Sequence, residues 1–188
     1  MKKIASLLAI ACTVTGCATM NNRLAPEKLD PATLASGSAI VVISTGAADR
    51  CIASATMLNL APAGSRYGKD GIVGINVDAY VLKSDFPDHQ GNLSAFSVPP
   101  GNYQLYPSVL NPYVTPERVP KAEFSVAAGE VLYIGEFYMP VACSFANITQ
   151  FRDQESRDLA LLKTRNPALA ESQIVKRIAV INGHVRLD

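Results

Sequence analysis

A chain of 188 residues with a formal net charge of +1 and 18% charged residues is long enough to bury one proper core of roughly 150 residues. Near-neutrality without a basic run gives no electrostatic footprint for nucleic acid, so no nucleic-acid partner is expected. Two histidines and four cysteines leave little material for a metal centre, and no metal or other cofactor is expected.

Lys2 and Lys3 precede an apolar run from Ile4 to Val14, which ends in Val14-Thr15-Gly16-Cys17. This is the pattern of a bacterial lipoprotein signal peptide spanning 1–16, with Cys17 as the lipidated residue. The apolar run is far shorter than the roughly 20 residues that a bilayer-spanning helix needs. Cleavage before Cys17 leaves 172 residues (188 less 16), and losing both lysines moves the formal net charge from +1 to −1. Attachment to the membrane would then rest on acyl chains at Cys17, and Ala18 lacks the aspartate typical of inner-membrane retention in this class. The expected address is the periplasmic leaflet of the outer membrane.

Residues 17–37 read as a flexible tether interrupted by Pro26 and Pro31, with a root-mean-square span of about 25 Å. A short helical turn capped by Asp30 is expected near Pro31–Leu34. A β-sandwich is expected over 38–152, beginning with the β-branched run at Ser38–Ser44 and continuing from Cys51 to Leu60. Val73–Lys83 alternates, with Val73, Ile75, Val77, Ala79 and Val81 facing one way and Asn76 and Asp78 the other. Leu93–Val98 and Tyr103–Leu110 flank the turn signal Pro99-Pro100-Gly101. Ala122–Val126 and Val131–Met139 flank Ala127-Ala128-Gly129-Glu130. The strand from Val131 is apolar on both faces, which predicts a central position, and Ala142–Phe151 is a further predicted strand.

Over 153–188 the chain turns helical. Asp153-Gln154-Glu155 starts one helix, and Asn166-Pro167 starts another running towards Val175. Asn182-Gly183 predicts a small hairpin over Ile178–Leu187. This tail reads either as a lid on one sheet or as a separate arm.

Val98-Pro99-Pro100-Gly101-Asn102-Tyr103-Gln104-Leu105 resembles the turn-and-strand of transthyretin-like and carboxypeptidase-regulatory-like sandwich domains. Val126–Gly135 resembles the strand pair that follows it in small bacterial lipoproteins of that kind. The resemblance covers about 38–150 and implies a mainly β, antiparallel sandwich with a non-enzymatic role; it transfers no catalytic residue.

Once Cys12 leaves with the signal peptide and Cys17 is acylated, Cys51 and Cys143 remain as a disulfide pair in an oxidising compartment. The alternative is two buried thiols. Asp85, Asp88 and His89 form the best polar cluster, a weak candidate for a ligand or cation. Their loop lacks an EF-hand's acidic spacing and reads better as an ordinary connection. Tyr67–Gly71, around Asp70, reads as a solvated turn. Without a Gly-x-Ser-x-Gly elbow, and with only His89 and His184 as histidine bases, a serine hydrolase is disfavoured. Glu136 stands in an apolar strand on the expected face of Ile134 and Tyr138, where it needs a partner such as Arg152 or Arg157. Tyr106 and Tyr113 flank prolines and could line a groove, but rings like these commonly cover core ends. These readings favour a non-catalytic interaction or structural module, with an envelope protein as partner. The alternatives are a periplasmic enzyme or accessory subunit using Asp85–Asn92, or a small-ligand carrier with a cavity between its sheets.

Overall fold

The computed structural model describes residues 25–52, 54–65, 73–111, 113, 116–144 and 148–187. Cys17, the signal segment and the Asp70 turn lie outside the described residues. Among the described residues ten strands form two sheets: β1 (Ala39–Ala47), β2 (Ala55–Pro62), β3 (Val73–Asn76), β4 (Gln90–Val98), β5 (Gly101–Leu110), β6 (Arg118–Val126), β7 (Val131–Met139), β8 (Gln150–Arg152), β9 (Ile174–Lys176) and β10 (Ile181–Arg186). Sheet 1 runs β4-β1-β7-β8, with β9 also on β7; sheet 2 runs β10-β6-β5-β2-β3. Helices α1 (Glu155–Arg165) and α2 (Pro167–Ala170) follow the sandwich strands.

The two sheets make a sandwich because their inward residues interdigitate. Val41, Ile43, Phe96, Leu132, Ile134 and Phe137 from sheet 1 meet Leu58, Leu60, Ile75, Leu105 and Ala122 from sheet 2. Sheet 2 is antiparallel throughout. Sheet 1 is mixed: β1 and β9 both run parallel to β7. β7 lies centrally and is buried on both faces, as its two-sided apolar pattern predicts. The outer face of sheet 1 is covered too. Ile40, Val42, Leu93, Val131 and Tyr133 meet Leu162 and Leu169 of the helical tail, with Leu29 and Leu34 at the margin. The two helices of the tail therefore cover one sheet, while its strands β9 and β10 join the two sheets themselves.

Several local expectations gave way to tertiary contacts. β3 stops at Asn76 because Asp78 turns inward and accepts the Thr56 amide at 2.6 Å, the group a longer strand would have paired. β2 begins only at Ala55; Cys51 forms an isolated bridge to Ala79. Of the strand expected over Ala142–Phe151, β8 keeps only its end, and 145–147 lie outside the described residues. α2 ends at Ala170, and Ile174–Lys176 pairs with β7 instead of continuing a helix. The Asn182-Gly183 hairpin does not form. Residues on both sides of that dipeptide find partners on β6, so β10 runs through it with a register shift. The Ala179 amide meanwhile bonds the Ile134 carbonyl. Together these contacts outweigh a local turn preference.

The tether also proves shorter than its composition implies. Pro26–Lys28 and Pro31–Ser36 are 3₁₀ turns; Asp30 caps the second and Gly37 ends it at φ +84°. The Asn166 side-chain amide donates to the carbonyls of Pro26 (2.8 Å) and Leu29 (2.9 Å). Its oxygen caps α2 at Leu169 N. Residues 25–36 thus belong to the folded body. Cys51 and Cys143 are joined, with Cα atoms 5.2 Å apart. The 92-residue separation gives about 4–5 kcal/mol in a chain-entropy account.

Candidate functional site

A buried polar cluster lies where α1 crosses the β1–β7 pair, and one backbone irregularity aims its central acid. Val42 pairs with Tyr133 but Ser44 with Glu136, so β7 carries an extra residue at Ile134–Gly135. Gly135 holds φ +90°, which a bulge of this kind demands and glycine supplies cheaply. Beyond it the alternation changes phase. Phe137 joins Leu132 and Ile134 in the sandwich core, while Glu136 moves to the face of Tyr133, under the helix. The strict alternation expected from sequence put Glu136 with Ile134; the bulge corrects that.

Glu136 is fully buried and answers three side chains. Its Oε1 lies 2.8 Å from His89 Nε2 and 3.1 Å from Arg157 Nη2. Its Oε2 accepts from Arg152 Nε at 2.8 Å and also from Arg152 Nη2. Both arginines were candidate partners from the sequence, and both serve. Asp158, equally buried, accepts from Ser44 Oγ (2.6 Å), Tyr133 OH (2.8 Å) and Arg157 Nε (2.9 Å). Rings finish the enclosure: Arg152 stacks over Tyr138 at 3.3 Å, Arg157 over Phe86 at 3.6 Å, and His89 lies against Phe86. Gly46 makes the close approach possible. A Cβ there would sit 2.8 Å from the His89 ring and 2.9 Å from Glu136 Oε1.

Burial pushes the Asp158 carboxyl above its ordinary value, against the pull of Ser44, Arg157 and Tyr133. Burial, together with the adjacent Asp158 charge, drives the Tyr133 hydroxyl far above its usual range. Burial alone would lower Arg157, yet Asp158 and Glu136 hold it above its ordinary value. A phenol so hard to ionise and a guanidinium so firmly charged are poor proton carriers near neutrality. The arrangement fixes α1 onto the sheet.

The candidate triad from sequence divides. His89 Nδ1 lies 2.8 Å from Asp88 and Nε2 2.8 Å from Glu136, so both ring nitrogens already have protein partners. Asp88 is exposed, and its hydrogen bond to His89 holds its carboxyl below the ordinary value. Asp85 faces elsewhere, paired with Arg165 and accepting the Leu93 amide at 2.9 Å. No group of three or more metal-ligating side chains occurs among the described residues. The open space lies at the surface. A cleft of about 320 Å³ borders Arg50, Asp88 and His89, and another of about 300 Å³ lies between Ala25, Leu82, Asp85 and Arg165. Tyr106 and Tyr133 are buried while Tyr113 is 92% exposed, so these tyrosines do not share a groove. His184 sits exposed on β10.

Ser44, Gly46, Gly135 and Asp158 escaped the sequence reading. A lone glycine inside an apolar strand was the available signal for the bulge, and Ser44 closing the first apolar run was the signal for a polar contact. No protein-family model, curated protein or solved structure matches the chain.

Proposed function

We propose that this protein is a lipid-anchored, non-catalytic module of the bacterial cell envelope, held by Cys17 on the periplasmic leaflet of the outer membrane and engaging an envelope protein. The observation that carries the reading is the Cys51–Cys143 bridge in a chain that opens with two lysines, a short apolar run and Gly16-Cys17. A disulfide of this kind belongs to an oxidising compartment. The leader supplies a route to one, and two or more acyl chains would make the attachment stable.

The non-catalytic part of the reading is supported by how the acidic groups are spent. Glu136, Asp158 and Asp85 each face an arginine, and the Asp85–Asn92 loop does not bring Asp85 to His89. A partner surface would be a loop face more readily than the outer edge of β7, which β8 and β9 share. The transthyretin-like resemblance of the Pro99-Pro100-Gly101 turn agrees with an adaptor role.

Two measurements test the proposal. Labelled palmitate should enter the mature protein, and Cys17→Ser should abolish both the label and membrane fractionation; unchanged fractionation would remove the anchor. Crosslinking in intact cells should then recover a reproducible envelope protein. Turnover by the purified protein of a cell-envelope substrate, lost in an Asp88→Asn variant, would favour the enzyme alternative.

A further inference from the structure

The strands place the described residues of the connections 48–54, 77–89, 111–117 and 140–149 at one end of the sandwich. β1 and β7 finish there in parallel, β4 and β8 begin there antiparallel to them, and β2 begins there as β5 ends. Ile52, Tyr80, Val81, Leu110, Tyr113, Val141 and Ile148 all lie on or beside these connections. They are seven of the eight exposed large hydrophobic residues among those described; the eighth, Val180, precedes β10 on the flank. Val81 is 88% exposed and Ile52 81%. The opposite end, with the Pro99-Pro100 and Ala128-Gly129 turns, has none among the described residues. Scattered exposed apolar groups are ordinary on a soluble surface, whereas their gathering at one end marks a surface with a partner.

The docked N-terminal segment says which partner. Ala25 borders the same cleft as Leu82 and Lys83, directly after Tyr80-Val81. Eight chain steps separate Cys17 from Ala25, a reach of at most about 29 Å and about 16 Å as a coil. A nine-residue strand such as β1 is itself about 30 Å long. Acyl chains on Cys17 would therefore hold the apolar end towards the leaflet, with the turn end facing away. Tyr80 and Tyr113 are also the ring type that settles at a lipid–water boundary, and Lys83 and Arg50 stand nearby to meet headgroups.

We propose that this end of the sandwich rests on the lipid leaflet, with the side chains of Ile52, Tyr80, Val81 and Tyr113 entering the interfacial zone. The proposal relies on the acyl-anchor reading and adds an orientation to it. It makes the body a membrane-seated domain with its Pro99–Gly101 and Ala127–Glu130 turns presented to the periplasm.

The absence of tryptophan permits a clean test. The mature lipoprotein, carrying either Val81→Trp or Val180→Trp, is reconstituted into phosphatidylethanolamine–phosphatidylglycerol vesicles with brominated acyl chains. Both sites are exposed, so neither change disturbs the core. Val81→Trp should emit at shorter wavelength and lose most of its intensity to bromine, while Val180→Trp stays solvent-like and unquenched. If the protein is acylated and floats with the vesicles but Val81→Trp stays solvent-like, the orientation is wrong and the anchor survives. A blue shift without bromine quenching, growing with protein density, would overturn the lipid proposal in favour of a second copy covering this end. An intact mass without acyl chains would sink the anchor reading and this proposal together.

Discussion

Glu136 and Asp78 are both completely buried acids on or just after a strand, and the protein accommodates them by opposite means. Glu136 faces two guanidinium groups: Arg152 and Arg157 reach its two oxygens, with the His89 ring beside them. Asp78 is held by a backbone amide and a hydroxyl of one residue, Thr56, at 2.6 and 3.4 Å. Burial raises its carboxyl above the ordinary value of 3.8, and the Thr56 bonds only partly offset that. The first acid is answered by two guanidinium groups. The second needs only an acceptor atom in the right place. A buried acid's role is thus read from its partners, since depth alone is the same for both.

Amide replacement separates the two cases most sharply. Glu136→Gln leaves Arg152 and Arg157 without their shared counter-charge, and a broken buried pair costs about 3–5 kcal/mol. The guanidinium side chains are 28% and 25% exposed and can rehydrate, so about 3 kcal/mol is expected in denaturant unfolding. A loss below about 1 kcal/mol would make this network no more than a surface ion pair. Gly46→Ala attacks the same network by volume: its new methyl group must displace His89 or Glu136, which should cost about 1–3 kcal/mol. An unchanged melting temperature there would mean that the close packing has room to relax. Tyr133→Phe removes one of three donors to Asp158 and should cost about 1–2 kcal/mol.

Asp78→Asn is the smallest change and has its own pH signature. Because the folded-state value is raised, the folded protein keeps this proton to higher pH than the unfolded chain does. The ionisation penalty is therefore absent below about pH 4 and grows as pH climbs through the raised value. Asparagine keeps the acceptor for Thr56 N and cannot ionise. The variant should match the wild type in acid and become relatively more stable as pH rises towards neutrality. Melting curves across that range check it; a variant that loses ground with rising pH would show that the charge itself is used.

The same contrast explains what the sequence made legible. The sandwich and its two-sided central strand follow from apolar patterns in β1 and β7, and the Cys51–Cys143 bridge from cysteine number and the expected compartment. Glu136's need for Arg152 or Arg157 was visible because a charge in an apolar run must be answered. Its orientation was not visible, because one residue of bulge reverses every side chain beyond it and alternation carries no count of insertions. Asp78 gave no such signal. It stands in an alternating run whose outward positions are usually solvated, and its true partner is the amide of a strand twenty-two residues earlier. The Asn182-Gly183 dipeptide failed as a hairpin because turn preference is local, while the pairing of β10 with β6 is set by the sandwich.

Asn166 has a consequence for the order of events during synthesis. One side chain caps α2 and clasps two carbonyls of a segment made about 140 residues earlier. A nascent chain emerges from its N-terminus, so the Pro26 and Leu29 carbonyls have no Asn166 amide to meet until α2 has been translated. The clasp on the N-terminal turns is consequently closed last, once the C-terminal helices have arrived.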